Sequence, residues 1–92
     1  MFVWNEAKRR RVIEEHRIDI AFLDDAFDDP FAVYFEDVEH STEDETRFNL
    51  ISLSARYGLV YVTFTYEGED IRLITAWKAE KWAISEYEQY KK

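Results

Sequence analysis

Four consecutive cations, Lys8 to Arg11, and a histidine two helical turns further on, His16, stand in a chain whose formal net charge is -8. Cations and an imidazole are the groups needed to hold a phosphodiester and move a proton near neutral pH. On a helix each residue turns by about 100°, so four successive side chains encircle the axis and cannot form one patch. The run has to be divided. Arg10 has Glu6 and Glu14 four residues to either side and Arg11 has Glu15 four residues on, so exposed i,i+4 pairs worth about 0.3–0.5 kcal/mol each account for both. Lys8 and Arg9 meet Val12 and Ile13 at i+4, and they lie near the helix N-terminus, where the dipole disfavours a cation. They are the pair free to meet an anion. His16 projects from broadly the same side, as an acid or base or as a cap on the C-terminal end of the dipole. The bland alternative for the whole run is a solvated helix face.

Other candidates are weaker. His40, beside Glu39 in an acidic segment, reads as a solvated loop histidine ahead of a base or a metal ligand. In "DDAFDD", residues 24–29, Asp24 faces Asp28 and Asp25 faces Asp29 at i,i+4, near a helix C-terminus, an arrangement local energetics oppose twice. Solvation leads, then a basic partner surface or the chain's own arginines; the spacing is not an EF-hand loop. There is no G-x-S-x-G, no phosphate-cradling glycine loop and no H-E-x-x-H. Cysteine is absent, which removes thiol catalysis and Cys-ligated metals and suits a reducing cytoplasm.

Ninety-two residues make one domain, which buries somewhat over ~60% of its unfolded surface. With 47% hydrophobic and 17% aromatic residues, the core needs no metal or disulfide. Residues 19–45 carry eleven carboxylates and no Lys or Arg, while the rest holds 12 bases and 9 acids. The deficit is thus one acidic segment between mildly basic flanks, and an anion would respond to the local field rather than to the sum. "MFVWNEAKRRR" reverses the order of a secretory signal, and no run approaches the ~18 apolar residues of a membrane span. The expectation is a soluble cytoplasmic protein.

These side chains need a frame. "FVW" is a possible short strand, and Asn5 is a good N-cap for a helix to about Arg17. "IAFLDDAF" predicts a second helix that ends at Asp29, because Pro30 disfavours helical geometry there. "FAVYFE" predicts a strand and "DVEHSTEDET" an exposed acidic loop. "RFNLISLS", "LVYVTFTYE" and "IRLITAW" predict an antiparallel meander through the short turns "ARYG" and "EGED", its middle strand covered on both faces. A last helix over Ala79 to Tyr90 stripes Ala83, Tyr87 and Tyr90. The fold class is α+β: a mostly antiparallel four-stranded sheet, with a possible N-terminal strand, against two N-terminal helices and one C-terminal helix.

Taken in order, "FVWNEAKRR", "EEHRID", "AFDDP", "EHS", "ETRF" and "IRLITAWKA" resemble the BrnT family, formerly DUF497, toxins of type II toxin–antitoxin pairs. The resemblance spans some 80 residues. It implies a RelE-like fold and metal-independent RNA cleavage that arrests translation, with no cofactor. It also implies neutralisation by a small ribbon-helix-helix antitoxin, BrnA, which represses the shared operon, so that DNA is met only through the antitoxin. By the same resemblance Lys8, His16 and Arg72 are the catalytic candidates, His16 as general base. Arg9, Arg47, Arg56, Trp77 and Lys78 are the RNA contacts. The chain departs from the family pattern in four places. "KHG" is Glu15-His16-Arg17, "GRS" is Ser52-Leu53-Ser54, the first arginine of "ARR" is Trp77, and the usual Thr opening the last helix is Glu80. Losing one preorganised charge at such a site costs on the order of 10² to 10³ in rate. The alternative is therefore a weak or inactive module that keeps only its antitoxin-binding surface.

Overall fold

The computed structural model describes residues 1–91. Strand β1 (Phe2–Trp4) leads into helix α1 (Glu6–His16), followed by two 3-10 turns (Ile20–Phe22 and Asp24–Asp28). Strands β2 (Val33–Glu36), β3 (Arg47–Ser54), β4 (Gly58–Glu67) and β5 (Asp70–Lys78) come next, and helix α2 (Lys81–Lys91) is the last described element. The sheet runs β1-β5-β4-β3-β2. The β2–β3, β3–β4 and β4–β5 pairs are antiparallel, whereas β1 lies parallel to β5. The possible N-terminal strand is present and makes the sheet five-stranded and mixed, unlike the expected RelE-like four-stranded antiparallel sheet, and among the described residues there are two α-helices where three were expected.

Local chemistry explains the ends of α1. The Asn5 side chain accepts the Lys8 N–H at 3.1 Å, and Arg17 closes the helix in the left-handed region, φ 60°, with its N–H donating to the Ile13 carbonyl at 2.9 Å. That conformation favours glycine, the residue of the "KHG" pattern, so Arg17 holds it at a steric cost. The expected second helix breaks at Leu23 (φ -107°, ψ 8°) into the two 3-10 turns. Its aspartates are drawn off as acceptors: Asp19 bonds the Ala21 N–H, Asp25 the Ala55 N–H, and Asp29 the Leu53 and Phe31 N–H groups. Short polar side chains that find backbone donors elsewhere compete with an α-helix this short. The same bonds account for half of "DDAFDD", because Asp25 and Asp29 pin the 3-10 turn to the end of β3 while Asp24 and Asp28 stay exposed.

Each face of the sheet has its own cover. Against α1 and the 3-10 turns, Leu50, Val60, Val62, Phe64, Leu73 and Ala76 close over Val12, Ile18, Ile20, Leu23 and Ala26. Against α2, Ile51 and Tyr61 pack on Ala83 and Tyr87. The central strand β4 is covered on both sides, as its sequence predicts. Tyr90, expected in the α2 stripe, is 66% exposed. Two tight turns join the meander, with Gly58 at φ 76° and Gly68 at φ 62° supplying the left-handed positions. Ile74 has no partner on β4, since Thr63 pairs with Thr75 and Phe64 with Leu73.

Candidate functional site

That bulge decides which side chains share a face. A bulge shifts alternation by one, so Arg72 points to the same side as Thr75 and Trp77, although an unbroken strand would set it opposite them. Three rows result on the α2 face: Arg47, Thr65, Arg72; then Asn49, Thr63, Thr75; then Ile51, Tyr61, Trp77. Helix α2 covers the last row and leaves the polar rows to the loop between β2 and β3. Beneath this loop lies a cleft of about 310 Å³, lined by Asp37, Glu39, His40, Arg47, Tyr61, Thr63, Ile74, Thr75 and Trp77. That size is at the lower end for small-ligand clefts. A second groove, sharing Ile74 and Thr75 with it, is formed by Lys8, Arg11, Val12 and Glu15 of α1.

Aromatic rings floor one end of the cleft. Trp77 stacks on Tyr61 (4.7 Å between centroids, 12° between planes) and meets the His16 ring at 5.8 Å, and Trp82 stands edge-on to Tyr61. The polar floor is internally satisfied: the Thr63 hydroxyl donates to the Asn49 side-chain oxygen at 2.9 Å and the Thr65 hydroxyl to the Thr46 carbonyl at 2.7 Å.

The cations divide differently from the sequence expectation. Arg9 is not spare: its guanidinium makes two parallel 2.8 Å bonds to Asp19 and a third contact to Glu6. The Arg9 guanidinium holds the Asp19 carboxyl below the ordinary carboxylate range, against the opposing effect of burial. Arg56 belongs to the same neighbourhood, its guanidinium 4.1 Å over the Phe22 ring. Among the described residues Arg10 and Arg11 form none of the expected i,i+4 ion pairs. Arg11, assigned from sequence to the fold, lines the groove with Lys8. Lys78 pairs with Val60, one step out of phase with Trp77, and so belongs to the opposite side of the sheet. Thus Arg47 and Trp77 line the cleft, Lys8 lines the groove, His16 touches Trp77, Arg72 lines a separate hollow with Asp44, Glu45 and Glu67, and Arg9, Arg56 and Lys78 lie elsewhere.

Arg47 and Arg72 share one carboxylate. Glu45 accepts from Arg47 Nε at 2.9 Å and pairs with Arg72, which also bonds Glu67 at 2.8 Å. The Arg47 hydrogen bond leads the effects holding Glu45 below the ordinary carboxylate range, with burial opposing and the Arg72 charge assisting. His16 has only its neighbour Glu15, 3.7 Å from Nε2. Among the described residues Lys8 has no carboxylate partner. No cluster of three metal-ligating side chains and no helix long and apolar enough to cross a membrane is present among them either.

Sequence reasoning missed Asp37, Tyr61, Thr63 and Thr75 as lining residues. The alternation of "VYVTFT" places Tyr61 and Thr63 on one face, but nothing local brings β5 into phase with them.

This α+β frame has counterparts among known proteins. A family profile described as the ribonuclease toxin BrnT of type II toxin-antitoxin systems matches residues 4–82. The chain belongs to the BrnT family. Among solved structures, the Brucella abortus ribonuclease toxin BrnT aligns with a TM-score of 0.68 and 26% identity, over 88% of this chain and 99% of that one. No curated protein sequence matches at a significant level. The structure separates the two arginines of the BrnT pattern that are missing here. Trp77 is in the cleft, whereas Leu53 lies in a groove with Asp25, Asp28, Asp29 and Pro30 at the far end of β3. Only one of the two substitutions removes a charge from the cleft itself.

Proposed function

We propose that this protein is the toxin of a type II pair and cleaves RNA without a metal ion, in the cytoplasm, arresting translation until a ribbon-helix-helix antitoxin neutralises it. One observation carries the reading: in a chain of net charge -8, Arg47 lines a cleft with Tyr61 and Trp77, and Lys8 and Arg11 of α1 line a groove that shares Ile74 and Thr75 with it. Cutting RNA requires removing the 2′-hydroxyl proton, compensating the charge on the phosphorane and protonating the leaving oxygen. Fixed cations supply the second need, and aromatic faces hold unpaired bases regardless of sequence. Lys8 and Arg11 suit the backbone phosphates entering along α1, Arg47 and Arg72 the phosphate being cut, and DNA is contacted only through the antitoxin.

The test is digestion of RNA by the purified chain in EDTA. Products should end in 2′,3′-cyclic phosphate, and Lys8→Ala combined with Arg72→Ala should abolish them. Activity that needs an added divalent ion, or that survives in the double variant, overturns this assignment.

A second reading draws support from Glu45. Its carboxylate bridges Arg47 and Arg72 where a phosphodiester would otherwise sit, which suits a module that has kept an antitoxin-binding surface without turnover. That reading predicts tight partner binding and no cleavage at any protein concentration.

A further inference from the structure

We infer that His40, not His16, accepts the proton in RNA cleavage by this protein, with Asp37 positioning it; the inference rests on the ribonuclease reading above. His40 lines the cleft, whereas His16 lines neither the cleft nor the groove and lies against Trp77. The loop that carries His40 is tied to β3: the Asp37 N–H donates to the Arg47 carbonyl at 2.8 Å. The Ser41 hydroxyl donates to the Asp37 carbonyl at 2.7 Å and accepts the Arg47 N–H at 2.8 Å. From that anchored turn the Asp37 carboxylate, 13% exposed, reaches His40 twice: its ring Nδ1 at 3.0 and 3.1 Å and its backbone N–H at 3.3 Å.

Chemistry fixes the direction of proton transfer. A carboxylate only accepts, so Nδ1 facing it carries the hydrogen and neutral Nε2 keeps its lone pair. The imidazole is 62% exposed, open to an entering strand. The other charged or titratable groups lining the cleft beside it are Glu39, Arg47 and Tyr61. With an RNA phosphate at Arg47, the 2′-hydroxyl gives its proton to Nε2 as its oxygen bonds phosphorus, and the P–O5′ bond breaks. The 5′ oxygen takes a proton from water, and the resulting hydroxide removes the proton from the imidazolium. Cyclic phosphate and a 5′-hydroxyl end leave, and His40 is neutral again.

The experiment uses the full chain and a short oligoribonucleotide, with a 2′-O-methyl copy to read binding without cleavage. His40→Ala should slow cleavage by about 10²-fold or more while binding the 2′-O-methyl copy within about twofold of the parent, and added imidazole should restore part of the rate. Asp37→Asn should lower kcat by about tenfold with KM held, and His16→Ala should cut at near the parent rate. A His40→Ala chain that keeps the parent rate, or whose loss imidazole does not mend, overturns the inference and leaves the ribonuclease reading standing. A parent chain that binds RNA and cuts nothing overturns both.

Discussion

The two faces of the sheet are built to opposite rules. Toward α1 and the 3-10 turns, β3, β4 and β5 bury a layer that is apolar except for Ser52 and Ser54, whereas toward α2 the same strands present Arg47, Asn49, Thr63, Thr65 and Arg72 beside a small aromatic cluster. Burial of apolar area is what holds a domain of this size together. One face therefore carries the stability, and the other, relieved of that duty, can keep polar groups in fixed positions. No buried side-chain nitrogen or oxygen among the described residues lacks a hydrogen-bond partner, so the polar face is ordered without being dry.

The sharpest way to break the comparison is Phe64→Ala on the apolar face. Phe64 is 1% exposed and meets Phe27, Phe48, Tyr34 and Tyr66, and its truncation should cost about 3–5 kcal/mol in denaturant unfolding. Tyr87→Phe, on the other side, removes a 2.8 Å bond to Asp29 that three further donors back up, and about 1–2 kcal/mol is expected.

Titration tests the same bond. Burial first, then the Asp29 carboxylate, pushes the Tyr87 phenol from 10.0 up to about 12. The folded state thus favours the protonated phenol, and its contribution is complete below pH 10 and lost as pH rises toward 12. Alkaline unfolding in that window should shrink in Tyr87→Phe. At the acid end, Asp19 and Asp29 are both held below their ordinary 3.8, Asp19 chiefly by Arg9. For Asp29, burial is the largest single effect and opposes this, but the donors from Leu53, Phe31, Tyr87 and Ser52 together outweigh it. Their contribution is present above that value and disappears as pH falls below it.

Two smaller effects sharpen the contrast. Arg17→Gly should raise stability by about 1 kcal/mol, because it relieves a left-handed residue on the structural side without touching the cleft. Glu45→Gln should leave the melting temperature within a few degrees, since partly exposed pairs are worth about 0–1 kcal/mol. It should also tighten RNA binding several-fold by freeing the arginines Glu45 now bridges. Weaker binding in that variant would show that Glu45 orders the site rather than occupying it.

Most of the frame was legible in the sequence because it rests on short-range rules. Asn5 caps α1, Gly58 and Gly68 turn the meander, and alternation in "VYVTFT" marks a strand buried on both sides. The parallel pairing of β1 with β5 was not legible, since three residues carry no signal of which distant edge they join. Nor was the break at Leu23, which depends on aspartates bonding a turn some thirty residues later in the chain. Around the cleft, the family resemblance names Arg47 and Trp77 and helix spacing names Lys8, all of which line the hollows, whereas Arg9 is held by Asp19, a partner beyond the reach of i,i+4 arithmetic. His40 reads as a solvated loop histidine and stands in that loop 62% exposed; its contact with Asp37, held in place by Ser41 and Arg47, appears only when β3 is in place.

The unpaired Ile74 makes the composition of the cleft a matter of register. Deleting it would leave Leu73 and Thr75 consecutive opposite Phe64 and Thr63, a strictly alternating strand that still sets Arg72, Thr75 and Trp77 on one face. Drawing Ile74 into the ladder would instead turn either Arg72 or the Thr75–Trp77 pair through half a revolution into the apolar layer, so the polar surface rests on one side chain staying out of the pairing.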